Sequence, residues 1–173
     1  MKKIKGGVTA AKGFEAASAA AGIKYQGRTD MALVYSQKPC EAAGTFTTNV
    51  VKAAPVKWDK KVVESNAKPQ VIVINSGIAN ACTGDAGMEC CKEVAKEVTK
   101  VLETETESVL IGSTGVIGMQ LPVEKMKDGV HLLAKEKAEG LEMGNLAAKA
   151  IMTTDTKEKE AAVTIELDGT TVT

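Results

Sequence analysis

Two hydroxyls set among three glycines carry the strongest chemical signal in this chain. Gly112-Ser113-Thr114-Gly115-Val116-Ile117-Gly118 follows a short β-branched run at residues 109–111 that reads as a buried strand. Glycines let a backbone approach a ligand closely, and a loop at a strand end can aim its N–H groups at an anion. The anion would be a bound phosphate or an oxygen that gains charge during acyl transfer. For the second, the Thr114 hydroxyl and the Gly115 N–H would converge on one acyl oxygen. On spacing alone, a tight turn with incidental hydroxyls is the simpler reading.

The phosphate reading resembles the variant glycine fingerprint of extended short-chain dehydrogenases, and three features oppose it. A helix starting near Gly115 would contain Pro122, which removes a hydrogen bond and clashes with the preceding turn. No strand ending in an acidic residue follows about 20 residues on, where a ribose partner belongs. The motif also comes late, without an N-terminal βαβ unit before it. A Ser–His–Asp arrangement has as little support, because the single histidine, His131, sits in a Lys/Glu-rich helical pattern with no evident partner. Cys40, Cys82, Cys90 and Cys91 match neither zinc-ligand nor CxxC spacing, so no metal is expected. Cys90 and Cys91 read as small buried hydrophobes.

Composition narrows the setting. The chain has 173 residues, 44% hydrophobic and 25% charged, which suits a single globular domain over residues 1–173. With 22 basic and 22 acidic residues the formal net charge is zero, so neither nucleic acid nor an acidic membrane is an expected partner. Met1-Lys2-Lys3-Ile4-Lys5 leads into glycines rather than an apolar core, and nothing approaches transmembrane length. A cytoplasmic location is the resulting expectation.

The elements that must position the glycine loop alternate between strand and helix, which predicts an α/β fold with a mixed sheet and packed helices. Residues 15–21 form a short Ala-rich segment. Residues 30–36 read as a strand, and the hydroxyl-rich residues 43–49 as a second one pairing with it antiparallel. Pro55 and Trp58 open a polar, exposed link to Pro69, with Trp58 a packing anchor. Residues 71–75 form the clearest buried strand. After a loop of small polar residues, Asp85 is placed to cap a helix whose apolar face is Met88, Cys91, Val94, Ala95, Val98, Val101 and Leu102. Pro122 suits a first helical turn before Val123, Met126, Val130 and Leu133, and a further helical pattern runs over residues 146–152. Residues 162–167 alternate cleanly, Asp168-Gly169 is a hairpin turn, and a return strand begins at Thr170. A hairpin cut in its second arm suggests more polypeptide or a second chain.

Four ordered segments together resemble the ornithine acetyltransferases, also called bifunctional glutamate N-acetyltransferases. They are Ala43-Gly44-Thr45-Phe46-Thr47-Thr48-Asn49 with Val51-Lys52-Ala53-Ala54-Pro55; Asn75-Ser76-Gly77 with Ala79-Asn80-Ala81-Cys82-Thr83-Gly84; Ser113-Thr114-Gly115-Val116-Ile117-Gly118; and Ala150-Ile151-Met152-Thr153-Thr154-Asp155-Thr156. One departure is Ile78, where the family usually has Asn.

The resemblance implies a self-processing fold in which a precursor cleaves itself before an internal threonine, and that threonine becomes the nucleophile of a second, β chain. This sequence resembles the N-terminal α chain. Thr114 and Gly115 match the family's oxyanion-stabilising pair, and Thr153 or Thr154, with Thr153 favoured, matches its substrate-contacting threonine. A free N-terminal amine can serve as base for its own threonine hydroxyl, so the implied chemistry needs no metal or resident cofactor. It would move an acetyl group from N-acetylornithine to glutamate through an acyl-threonine, in arginine biosynthesis. Acetyl-CoA remains open as a further donor, and an α2β2 heterotetramer is the implied assembly. Two other readings stand beside it: a non-catalytic small-molecule-binding domain of the same fold, and a related self-processing amidohydrolase or aminopeptidase.

Overall fold

The computed structural model describes residues 1–173 as a mixed α/β structure with two sheets and four helices. The first strand, β1 (Lys2–Ile4), belongs to the smaller sheet. The larger sheet has four strands in the order β2 (Phe14–Ala19), β3 (Met31–Ser36), β4 (Val71–Asn75) and β5 (Val109–Ser113). β2–β3 and β3–β4 are antiparallel, and β4–β5 is parallel. A parallel pair needs a crossover, and α2 (Gly84–Leu102) supplies it between β4 and β5.

One face of this sheet makes the main core. Met31, Leu33, Val71, Val73, Val109 and Ile111 meet Cys91, Val94, Ala95 and Val98 of α2. Met126, Val130 and Leu133 of α3 (Val123–Glu136) close the same core. Burying each large aliphatic side chain contributes about 1.5–3 kcal/mol, so the three-and-four spacing of the two helices decides their orientation.

The opposite face is covered only in part. Ala16 and Ala32 pack against Ala147 and Ala150 of α4 (Leu141–Ala150), four small side chains that let helix and sheet approach closely. Val34 and Ile74 line a gap under α4 together with Ala147 and Ala148, while Leu110 is half-buried and Ile72 is 38% exposed. Ile72 and Leu110 therefore leave an apolar patch of β4 and β5 facing outward.

Several expectations need correction. Residues 15–21, read from sequence only as an Ala-rich segment with no element assigned, supply most of β2, a strand imposed by pairing with β3 rather than by residue preference. Residues 43–49 form no strand, because β2 and β4 already occupy both edges of β3. The supposed exposed link contains α1 (Ala54–Glu64), opened by Pro55 in its first turn. α1 lies along the outer edge of β5, where the Trp58 indole N–H donates to the Val109 carbonyl (2.9 Å). The Ile111 N–H donates to the Asp59 carboxylate (2.9 Å). Trp58 is the packing anchor expected, with a polar tie added.

Asp85 does not cap α2: the helix begins one residue earlier, after Thr83, and Asp85 lies in its first turn. There it faces the positive end of the helix dipole. Pro122 immediately precedes α3, and α4 begins at Leu141 rather than at residue 146. No helix follows the glycine loop until Val123, which removes the dinucleotide reading. The hairpin β6 (Ala162–Leu167) and β7 (Thr170–Val172) turns at Asp168 (φ 48°) and Gly169 (φ 78°), as the sequence indicates. β6 also pairs with β1 to complete the small sheet β1-β6-β7. No helix is long and apolar enough to cross a membrane.

Candidate functional site

Because β4 and β5 run parallel, in a register that pairs Asn75 with Ser113, their following loops leave the sheet side by side. The loops are then stitched together by backbone bonds. Thr114 N–H donates to the Asn75 carbonyl (3.0 Å), Val116 N–H to Gly77 (3.1 Å), Ala79 N–H to Val116 (2.8 Å) and Gly118 N–H to Ala81 (2.9 Å). Buried side chains support this ladder. The Asn75 amide donates to the Ile78 carbonyl (2.7 Å), and the Ser113 hydroxyl donates to the Asn75 side-chain oxygen (2.7 Å). The Asn80 N–H donates to Ser113 Oγ (2.8 Å), and the Asn80 amide donates to the Gly87 carbonyl (2.8 Å). Ile78 is 5% exposed and part of the core, so this position contributes its backbone and no polar group.

The two hydroxyls of the glycine loop are thereby separated in role. Ser113 is consumed by the loop's own bonding, whereas Thr114 Oγ1 and the Gly115 N–H have no hydrogen-bond partner within the chain. Gly115 has φ +134°, and an added Cβ would lie 2.3 Å from the Gly77 carbonyl carbon. Only glycine permits this approach.

Thr114 and Gly115 open into a cleft of about 400 Å³ that Thr153 and Thr154 also line. All four site residues singled out in the sequence are thus brought together. The threonines arrive from the end of α4, which is fixed by the Ser76 hydroxyl donating to the Ala150 carbonyl (2.7 Å) and by Arg28 donating to the Met152 carbonyl. Thr153 is half-buried and Thr154 exposed.

Lys24, Tyr25 and Arg28 form the remaining wall, with Gly77 and Val116 at its base. They were not anticipated; the only trace in the sequence is two cations four residues apart ahead of a strand. Their loop, between β2 and β3, is held by the buried Asp30, whose carboxylate accepts from the N–H groups of Ala21 (2.8 Å) and Ile23 (2.6 Å). Lys125 of α3 adds a bond to the Gly22 carbonyl (2.8 Å). The Lys24 ammonium, 4.9 Å from the Tyr25 ring centre, draws the phenol pKa below its ordinary value.

Groups elsewhere lack the position for chemistry here. His131 does have a partner, contrary to expectation: its Nε2 lies 2.8 Å from Glu97 of α2, and neither residue lines the cleft. Burial pushes the Cys90 and Cys91 thiols up to about 11 and about 12, and neither faces the cleft. The Lys157–Glu160 run is partly engaged, since the Asn145 amide donates to both Glu158 and Glu160, and Lys159 pairs with Asp155.

The sequence profile of the ArgJ family matches residues 15–173. The chain belongs to the ArgJ family. Among its relatives, the arginine biosynthesis bifunctional protein ArgJ of Gloeobacter violaceus is 46% identical over 169 residues, covering 98% of this chain and 41% of that protein. The ArgJ of Caldanaerobacter subterraneus subsp. tengcongensis is 46% identical over 173 residues, covering 100% of this chain and 42% of its own length. This chain therefore spans about two fifths of these ArgJ relatives. The crystal structure of ArgJ from Bacillus halodurans superposes with a TM-score of 0.92 at 34% identity, covering 98% of this chain and 88% of that one. An ornithine acetyltransferase from Mycobacterium tuberculosis, solved in complex with ornithine, gives a TM-score of 0.85 at 44% identity, covering 90% of this chain and 83% of that one. Membership in the ArgJ family accounts for the order of the four matching segments. It also separates the glycine loop from nucleotide-binding turns of similar spelling.

Proposed function

We propose that this chain contributes the oxyanion donors and part of the substrate pocket of an ornithine acetyltransferase, which moves an acetyl group from N-acetylornithine to glutamate. The observation that carries the reading is the pair of unpartnered donors, Thr114 Oγ1–H and Gly115 N–H, opening into the cleft that Thr153 and Thr154 line. Such a pair suits an acyl oxygen that becomes negative in each tetrahedral intermediate. Thr153, the more enclosed of the two threonines, is the one assigned to substrate contact.

The nucleophile is a threonine at the amino terminus of a second, β chain from the same precursor. Its hydroxyl attacks the acetyl carbonyl, its own amine takes the proton, and ornithine leaves as the amine. The glutamate amine then attacks the threonine ester and regenerates the hydroxyl. Acetyl-CoA would enter as an alternative first donor, and no metal or resident cofactor is needed for these steps. The outward apolar patch of Ile72 and Leu110 supports a partner chain; the α2β2 assembly and the cytoplasmic location are proposed from the family resemblance.

The test is to incubate the full-length precursor with N-acetylornithine and glutamate and to follow both products, with the polypeptides sequenced from their amino termini. N-acetylglutamate and ornithine formed in equal amounts, with a second chain beginning at threonine, are expected. Free acetate with no transfer would point to an amidohydrolase, and an uncut, inactive protein to a binding domain.

A further inference from the structure

The oxyanion donors leave the sheet from β5, its border strand, which has β4 on one side and no strand on the other. α1 takes that open side. The Trp58 indole N–H donates to the Val109 carbonyl (2.9 Å), and the Asp59 carboxylate accepts from the Ile111 N–H (2.9 Å). Two adjacent side chains thus hold alternate residues of β5, as the backbone of a further strand would. The same helix begins with the Ala54 N–H donating to the Asn80 carbonyl (3.3 Å), and the Asn80 N–H donates to Ser113 Oγ (2.8 Å). α1 therefore grips β5 ahead of Ser113 and, through Asn80, Ser113 itself. Asp59 is costly as a packing residue, since burial pushes its pKa up to about 6 and no cation pairs with it. A hydrocarbon of similar size would avoid that cost, so what the carboxylate contributes is the bond it accepts. Only Gly112 and Ser113 separate Ile111 from Thr114. Gly112 has no side chain to anchor the strand, and a Cβ there would lie 3.0 Å from both Cγ1 and Cγ2 of Ile74.

We infer that Asp59 is a positioning residue for the oxyanion pair. By holding the Ile111 N–H from the open side of β5, it fixes the strand end from which Thr114 Oγ1 and the Gly115 N–H project. Asp59 lines no part of the cleft and acts only through β5. An oxyanion donor is effective when it already stands where the charge will develop, so a small drift of the strand end slows the chemical step more than it weakens binding. The catalytic consequence rests on the transferase reading above; the hold of Asp59 on the strand rests on the geometry alone.

The experiment follows acetyl transfer by the full-length protein at pH 8, where the Asp59 carboxyl is ionised, with rates counted per folded molecule. Asp59→Leu fills the space without an acceptor. It should lower kcat about 10- to 100-fold and leave KM within about threefold, as for a slight misplacement of the oxyanion donors. Asp59→Ala gives the same reading if the leucine variant does not fold. Asp59→Asn keeps an acceptor for Ile111 and should stay within about threefold of wild type. An asparagine variant as slow as the leucine one overturns the inference. Trp58→Phe is the control from the same margin: it loses the bond to Val109, farther from the loop, and should lower stability while sparing kcat. Equal kcat losses in Trp58→Phe and Asp59→Leu would mark general packing and overturn the inference. In a Thr114→Val background the Asp59→Leu loss should shrink by about fivefold or more, because both changes act on the same oxygen. Losses that simply multiply overturn it too. Hydrogen exchange needs no turnover: amides of residues 111–116 should exchange faster in Asp59→Leu, with those of α2 unchanged. That result in a protein that transfers nothing keeps the hold on the strand end and loses the transferase reading. Transfer with wild-type kcat in Asp59→Leu does the reverse.

Discussion

The carbonyl carbon of Gly77 lies 2.3 Å from where a Cβ on Gly115 would stand, so the loops after β4 and β5 meet at a contact that excludes every side chain. Gly115→Ala must push the loops apart and also hold alanine at φ +134°, where L-residues are strained. The cost is expected to exceed about 2 kcal/mol. Urea unfolding of the full-length protein should register the loss, and the proposed transfer activity should fall with it.

Thr114 offers the converse case. Its hydroxyl has no partner within the chain, so Thr114→Val should change stability by less than about 0.5 kcal/mol. If the hydroxyl steadies the acyl oxygen, kcat for transfer should fall by about 10²–10³, while Thr114→Ser keeps most of it. Wild-type turnover in the valine variant would end the role assigned to Thr114. If the full-length protein cleaves itself as proposed, the rate of that cleavage, read on a denaturing gel, shows whether the same donor serves that step.

Asp59 sets a pH dependence of stability. Burial raises its pKa from 3.8 to about 6, with the bond from the Ile111 N–H working the other way. Between those values the folded chain holds more protons than the unfolded one, so this group's contribution to stability falls as pH rises from about 4 to about 6. Because the carboxyl is only half-buried, the effect is expected to be about 1 kcal/mol rather than the full shift. Asp59→Asn keeps an acceptor for Ile111 and removes the ionisation. The variant should flatten the curve over that window and gain stability at pH 7, measured by thermal unfolding across the range.

Cys90 and Cys91 should stay unmodified when the native protein meets a thiol reagent at pH 8. Burial, helped at Cys90 by the Glu93 charge and at Cys91 by Cys90 itself, holds both thiols protonated. Mass spectrometry should find both labelled once the chain is unfolded in denaturant. Rapid native labelling of either would contradict the packing of α2 against the sheet.

Elements whose own residues carry the fold were readable from sequence. β4 and β5 are continuous β-branched runs, and α2 and α3 repeat apolar residues at three and four. β2 was not readable as a strand: its alanines have little preference for extended backbone and owe their state to β3 and α4. α1 was hidden because its lysines suggest exposure, while its anchorage comes from Trp58 and Asp59 reaching a strand about fifty residues away. At the site, Thr114, Gly115, Thr153 and Thr154 were named through an ordered set of motifs. Which hydroxyl of Ser113 and Thr114 stays free depends on Asn75 and Asn80, a contact no spacing encodes. Lys24 and Arg28 escaped notice for the same reason, since they reach the cleft only through the folding of the loop before β3.

The tie between α1 and β5 also governs how this sheet meets other polypeptides. Trp58 takes a β5 carbonyl and Asp59 takes a β5 N–H, so that border presents side chains in place of a free ladder. At the other border, Ala16 exchanges two backbone bonds with Ala138 (3.0 and 3.1 Å). With both margins blunted, the sheet resists edge-to-edge polymerisation with its own copies. Pairing at either margin would first have to displace these contacts.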